Sequence, residues 1–248
     1  MEKLLLTKKE FKEIMQVLPK VSKEEFRPIL QGVCFNNNEV VALDGFRLSI
    51  RRFKGELSGE YIIHAKDLKE VLNTCKRDME HVEIIFNNKT IFNLLDKGKN
   101  LVKTFECKYL DGLYIAYKSL LNNSFAGIIE LKDTKELLDI IKPLKKNQGI
   151  TLEIEDNKLS IYNVVADLEK IESHLYHIGD IEINNKIKLN ITIGVNATYL
   201  KEAIKDYKTC DIKYNGKLQS IVIESAEEKN KYELVLPLRI LKGIEKAS

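Results

Sequence analysis

The sequence predicts an α+β chain of two similar domains, each with two helices packed on antiparallel sheets. Three observations carry that prediction. A Lys-Glu pair returns four times, at Lys12-Glu13, Lys69-Glu70, Lys135-Glu136 and Lys201-Glu202, in steps of 57, 66 and 66 residues. A short β-rich run precedes each pair: Leu4-Leu5-Leu6, Tyr61-Ile62-Ile63, Gly127-Ile128-Ile129 and Ile191-Thr192-Ile193. Apolar residues then fall three and four apart, as Phe11, Ile14, Met15, Leu18; Leu68, Val71, Leu72, Cys75; Leu137, Leu138, Ile141, Leu144; and Leu200, Ala203, Ile204, Tyr207. That spacing lays each set along one helix face. A strand-then-helix unit used four times is what a duplicated duplication produces.

Taken in order, the first half reads as strand 3–6, helix 8–18, a polar turn at Pro19 and Ser22, and strands near 29–35, 39–43 and 47–53. Asn36-Asn37-Asn38 and Asp44-Gly45 supply turn chemistry between them. Strand 60–64, helix 66–77 and strands 81–86, 90–95 and 101–107 follow, punctuated by Asn87-Asn88 and Lys97-Gly98-Lys99. The second half repeats this order: strand 127–131, helix 133–146, strands 150–155, 158–163 and 167–175, strand 187–194, helix 197–208, and strands 210–214, 219–224 and 231–236. Asn196 is the expected N-cap of the last helix. The polar stretch Leu120 to Ser124 places the boundary near 123, giving domains 1–123 and 124–248.

A chain of 248 residues, 44% apolar, is long enough for two domains of about 120 residues, each with its own core. No run approaches the roughly 18 apolar residues of a membrane span, and the start is too quickly charged for a secretory signal, so a cytoplasmic protein is expected. Cys34, Cys75, Cys107 and Cys210 are far apart inside apolar patterns and read as buried, reduced thiols.

The formal charge of +3 is unevenly spread. The four helical segments carry sixteen Lys or Arg against nine acids, +7, which leaves −4 for the rest. A basic helical layer over mildly acidic sheets is an electrostatic footprint for a polyanion if the helices share a surface; each face also carries acids, as an ordinary solvated helix would.

There is no Gly-rich phosphate loop, nucleophile elbow or zinc-finger spacing, so no cofactor and no metal is expected. The one metal-like cluster is His174 and His177 with Glu169 and Glu172 upstream, the basis for a metal-dependent hydrolase reading. Positions 174 and 177 of a strand point to opposite faces, which is poor geometry for shared ligation. Asp44 before Gly45 reads as a turn former rather than a catalytic acid.

Three stretches resemble the bacterial sliding clamp family, the β subunit of DNA polymerase III. Arg27-Pro28-Ile29-Leu30-Gln31-Gly32-Val33 with Val41-Ala42-Leu43-Asp44-Gly45-Phe46-Arg47-Leu48 looks like the family's middle domain, with Leu43 where Thr is usual. Lys108 to Tyr117 is similar to the end of that domain, with Tyr114-Ile115-Ala116-Tyr117 in place of Phe-Pro-Asp-Tyr. Tyr232 to Ile240 resembles the family's C-terminal segment, and Val195 to Leu200 the start of its last helix. The resemblance covers nearly the whole chain and implies two DNA-clamp domains matching the family's middle and last domains, with nothing matching the first. Leu241 to Ser248 extends past the family's usual terminus.

The resemblance implies a non-enzymatic processivity factor that encircles duplex DNA without sequence preference and tethers a DNA polymerase through clamp-binding peptides. Contacts to phosphates are independent of sequence and screened by salt, which suits sliding. Candidate DNA-binding residues are Lys9, Lys12, Lys20, Lys66, Lys69, Arg77, Lys135, Lys142, Lys146, Lys201, Lys205 and Lys208. Carried over position by position, the family's partner-peptide cleft would be walled by Asp44, Gly45, Phe46, Arg47 and Leu48, and by Leu236, Pro237, Leu238 and Arg239, with the leucines and Pro237 receiving apolar anchors. The family closes rings of six domains and twelve inner helices, so this chain is expected to act as a homotrimer joined edge to edge. The alternative is a clamp-like accessory protein that binds a replication partner without encircling DNA.

Overall fold

The computed structural model describes residues 1–75, 78–121, 124–166, 172–225 and 227–240, and the backbone alone of 167 and 245–247. The chain divides into two compact units, Met1–Lys118 and Ser119–Ser248. The boundary expected near 123 falls on Asn122 and Asn123, outside the described residues.

Unit 1 opens with β1 (Glu2–Thr7) and α1 (Lys8–Ile14), then a 3-10 segment Met15–Lys20. A capping box starts α1: Thr7 Oγ1 accepts from Glu10 N at 3.2 Å, while Glu10 Oε2 accepts from Thr7 N at 2.8 Å. The helix expected over 8–18 tightens after Ile14, yet Phe11, Ile14, Met15 and Leu18 are all buried as the spacing required. A 3-10 turn Pro28–Gln31 replaces the start of the strand expected at 29–35.

Next, β2 (Gly32–Leu43) and β3 (Arg47–His64) form one long antiparallel hairpin closed by the Asp44-Gly45 turn. Four short strands were expected here, with Asn36-Asn37-Asn38 as a turn. Instead the chain runs straight on, and the ladder breaks: Asn37 pairs with Leu57 and Glu39 with Arg52, leaving the β3 residues between them without partners in the ladder. Asn37 (φ 52°) and Gly55 (φ 117°) absorb the irregularity, a conformation that Asn and Gly adopt at low cost. The local turn signal was real, but long-range pairing converted it into a bulge.

The unit ends with α2 (Ala65–Thr74), β4 (His81–Phe86), β5 (Thr90–Leu95) and β6 (Leu101–Cys107). Its four-stranded sheet runs β1-β4-β5-β6, all antiparallel, with Glu2 opposite Phe86. The core gathers the stripes of both helices with Val33, Phe35, Val82, Ile84, Phe86 and Phe92.

Unit 2 runs β7 (Gly127–Leu131), α3 (Thr134–Ile141), β8 (Gly149–Glu155), β9 (Lys158–Asp167), β10 (Glu172–Glu182), β11 (Asn184–Ile187) and β12 (Ile191–Asn196). Then come α4 (Ala197–Ile204), β13 (Cys210–Tyr214), β14 (Ile221–Glu224), β15 (Lys231–Val235) and a tail strand β16 (Glu245–Ala247). Helix α3 stops at Ile141, two residues short of Pro143, rather than at 146, because proline cannot continue the hydrogen-bond ladder. Asn196 caps α4 as expected, its Oδ1 accepting from Thr198 N at 2.9 Å and Tyr199 N at 3.2 Å. Strands β11 and β16 were not expected.

The two sheets of unit 2 run β12-β8-β9-β10-β16 and β11-β7-β13-β14-β15. Each half of the unit therefore lends its first strand to the other: β7, which leads into α3, pairs with β13 after α4, and β12, which leads into α4, pairs with β8 after α3. In unit 1, β1 pairs with β4 in the same manner. The duplication visible in the sequence is thus a strand exchange, which puts both helices of a unit over one shared core. All four cysteines are free and buried; burial pushes the thiols up, to about 12 for Cys107 and Cys210. Among the described residues, no helix is long and apolar enough to cross a membrane.

Candidate nucleic-acid interface

Most of the lysines that the sequence singled out lie on the helices or, as Lys142, Lys146, Lys205 and Lys208 do, at or just past their C-terminal ends. In unit 1, Lys9 and Lys12 on α1 and Lys66 and Lys69 on α2 are exposed. Their positions follow from the apolar stripes: once Phe11 and Ile14, or Leu68 and Val71, face the core, the intervening residues face water. In unit 2, Lys135, Lys142, Lys146, Lys205 and Lys208 are exposed and Lys201 is half-buried. Helices α3 and α4 contact each other, so Lys135 and Lys201 lie on a common helical layer.

Charge on these faces is mostly uncompensated. Lys9 approaches Glu13 at 4.0 Å across one helical turn, a pair too exposed to hold its charge back. Among the described residues, Lys12, Lys66, Lys69, Lys135, Lys142, Lys146, Lys201, Lys205 and Lys208 make no ion pair within 4 Å. Most lysines on the sheets are paired, as Lys3 is with Glu83 at 2.6 Å and Lys186 with Asp211 at 2.7 Å, although among the described residues Lys54 and Lys103 make no ion pair within 4 Å. The cations on and beside the helices are thus mostly available to an external anion.

Lys20 departs from the expectation. It is 1% exposed, and its Nζ donates to Gln16 O at 3.3 Å, because the 3-10 segment turns its side chain inward. It offers no ammonium to a phosphate. Arg77 lies outside the described residues.

The Asp44–Leu48 stretch is a rigid turn. Asp44 Oδ1 accepts from Phe46 N at 3.0 Å and Arg47 N at 3.2 Å, and Oδ2 accepts from Arg47 Nε at 2.8 Å. Arg47 Nη2 donates to Pro19 O at 2.8 Å, tying the turn to the end of the 3-10 segment. Asp44 therefore acts as a turn former, as the sequence indicated. Gly45, at φ 88°, carries the backbone where a side chain would be strained. Leu48 does not serve as an apolar receiver: it is 1% exposed, packed inside from the first turn of β3. The open apolar group here is Phe46, 54% exposed. Phe26, also exposed and covered by the Arg27 guanidinium 5.5 Å from its ring centre, is a surface aromatic that sequence reasoning did not name; its place before Arg27-Pro28 was the available signal.

The Leu236–Arg239 stretch leaves β15 as an extended segment. Leu238 N donates to Gly194 O at 2.7 Å, which anchors it to β12. Gly194 is required for that approach, since a Cβ there would stand 2.5 Å from Leu238 O. Leu236 and Arg239 are exposed, and Pro237 and Leu238 half-buried.

His177 Nε2 lies 2.9 Å from Asp180 Oδ1, with its ring edge-on to Tyr162, and Glu169 lies outside the described residues. Among the described residues, no three His, Cys, Asp or Glu side chains gather as a metal-binding group.

No family model matches the sequence, and no curated protein matches it. Solved structures do. The DNA polymerase sliding clamp from Bacillus subtilis is similar at 24% identity and a TM-score of 0.76, over 96% of this chain and 64% of that one. The beta subunit of DNA polymerase from Streptococcus pyogenes is similar at 22% identity and 0.78, over 96% and 66%. The C. crescentus beta sliding clamp reaches 0.81 at 17% identity, over 97% and 66%. The chain has the bacterial sliding-clamp fold, and spans about two thirds of the length of these clamps.

Proposed function

We propose that this chain is a DNA sliding clamp, a non-enzymatic processivity factor whose copies assemble as a ring of three around duplex DNA and tether a DNA polymerase. What supports the reading is a clamp fold in which nine candidate lysines on or just beyond the helices make no ion pair among the described residues, whereas the sheet lysines Lys3, Lys158, Lys186 and Lys213 do. Lys9, Lys12, Lys66, Lys69, Lys135, Lys142, Lys146, Lys201, Lys205 and Lys208 would meet phosphates, and the acids between them, such as Glu70 and Glu136, keep each contact weak enough to slide. A partner peptide would use Phe46 and Arg47 of one segment and Leu236, Pro237, Leu238 and Arg239 of the other: apolar anchors for the rings and leucines, acidic groups for Arg239.

The test is topological. Chain bound to nicked circular DNA should be retained through gel filtration, linearising the DNA should release it, and both signals should fall as salt rises. Equal retention on circular and linear DNA would overturn encirclement. A second reading keeps the fold and drops the ring, giving an accessory protein that binds a replication partner. Strand β16, lying along the edge of β10, is the observation that favours it.

A further inference from the structure

Three residues of the C-terminal tail form β16, which lies parallel to β10 with His174 opposite Glu245, Leu175 opposite Lys246 and Tyr176 opposite Ala247. It occupies the outer edge of the β12-β8-β9-β10 sheet. An edge strand offers a row of N–H and C=O groups to any arriving strand, and proteins commonly cover such edges with their own chain. In unit 1 an outer edge of the four-stranded sheet is β6, which among the described residues has a neighbour on one side only, and which exposes Leu101 and Val102. The stretch around β6 and the β10 strand differ in charge. Residues 96–108 hold four lysines against two acids, whereas β10 holds Glu172, Asp180 and Glu182 and no Lys or Arg.

We propose that β16 is a built-in cap on the β10 edge, displaced when β6 of a second copy adds to that edge, so that the tail sets the concentration at which copies associate; this rests on the ring reading above. The cap is short, pairing three residues of the eleven in β10, and parallel, the less stable pairing per residue. Its advantage is the tether, which holds it at an effective concentration of order mM. An incoming β6 offers seven residues and apolar side chains at its exposed end, with Lys97, Lys99 and Lys108 flanking it. The tethered cap therefore prevails in dilute solution, and the longer strand prevails when copies are concentrated, as they are when held on one DNA.

The test compares the full chain with full-length Glu245→Pro/Ala247→Pro, which removes two donors from β16, and with a chain ending at Ile240 as a second variant. Sedimentation velocity across concentration gives the association midpoint, and hydrogen exchange in dilute monomer gives the protection of the amides of 174–176. Both variants should associate at a midpoint at least tenfold lower and lose protection at 174–176. Midpoints equal to that of the full chain, with all three forming the same oligomer, would overturn the competition and leave the ring reading standing. Weaker association by the variants would make the tail part of the interface and overturn the cap. Unchanged exchange at 174–176 would overturn the cap regardless of association. Monomers at every concentration, on circular DNA as well as off it, would remove the ring reading and this inference with it.

Discussion

Glu2 shows what a single side chain near the start of the chain can do. Its carboxylate accepts from Ser58 N at 2.6 Å, from the Tyr61 hydroxyl, from Ser58 Oγ at 3.0 Å and from Gly59 N at 3.4 Å. The Ser58 backbone bond and then the Tyr61 hydroxyl hold it down from its ordinary 4.5 to about 2, while burial, and then the bond to Glu2, pushes Tyr61 up to about 12. A carboxylate with a depressed folded-state pKa contributes stability that is fully present above about 4.5 and is lost as pH falls towards 2. Urea midpoints of the native chain should therefore drop between pH 5 and pH 2.5 by more than those of Glu2→Gln; parallel pH profiles would refute this. Phe46 carries the second outcome at this scale. With Leu48 buried, Phe46→Ala combined with Leu238→Ala should weaken a clamp-binding peptide at least tenfold by fluorescence anisotropy, with the fold intact by circular dichroism. Undiminished affinity would remove these segments from peptide docking. Sequence alone identified the Asp44-Gly45 turn because turn chemistry is local. It misjudged Leu48 and Lys20 because the inward or outward direction of a side chain at a strand start or in a 3-10 segment depends on what packs over it.

At the level of elements, periodicity was the readable part. All four helices and the strands 81–86, 90–95, 101–107, 127–131 and 210–214 stand where the pattern put them. Helix ends were read long at 8–18, 133–146 and 197–208, since apolar residues at helical spacing continue into 3-10 or turn structure that buries them equally well. The β2–β3 hairpin could not be read as two long strands, because what overrides the Asn triplet is pairing with residues about twenty positions away. Strand β11 and the tail strand carry no alternation strong enough to announce them. Gly194 ties β12 to the 236–240 segment: Gly194→Ala would drive its Cβ into Leu238 O and break the Leu238–Gly194 bond. A backbone atom cannot rotate aside as a side chain can, so the expected cost is about 1–3 kcal/mol, with the 236–240 segment displaced. Thermal melting should show the loss, and exchange at the Leu238 amide should rise; a variant as stable as the parent with Leu238 still protected would contradict it.

For the whole molecule, the fourfold Lys-Glu repeat was legible as two duplicated units, while the strand exchange inside each unit was not. Pairings such as Glu2 with Phe86 join residues that no local pattern connects. The exchange matters for the proposed assembly, because it leaves β6 at one outer edge and β10, under the short β16, near another, and a contact joining β6 of one copy to β10 of the next would be heterologous. Heterologous contacts close into a ring only when the rotation per copy divides the circle. Two units with two helices each make four helices per chain, so three copies would supply the six units and twelve helices that the resemblance implies for a ring, whereas two would supply eight. We therefore expect a closed species of three copies of 28.6 kDa, about 86 kDa, in multi-angle light scattering at high concentration or after crosslinking on circular DNA. If the tail competes for the edge as proposed, dilution should return 28.6 kDa monomers without passing through a stable dimer, since an open pair gains one contact while closure adds two at once. A species that stops at the dimer, or grows without limit into filaments, would show that the rotation does not close at three, and would transfer the proposal to the non-encircling accessory reading.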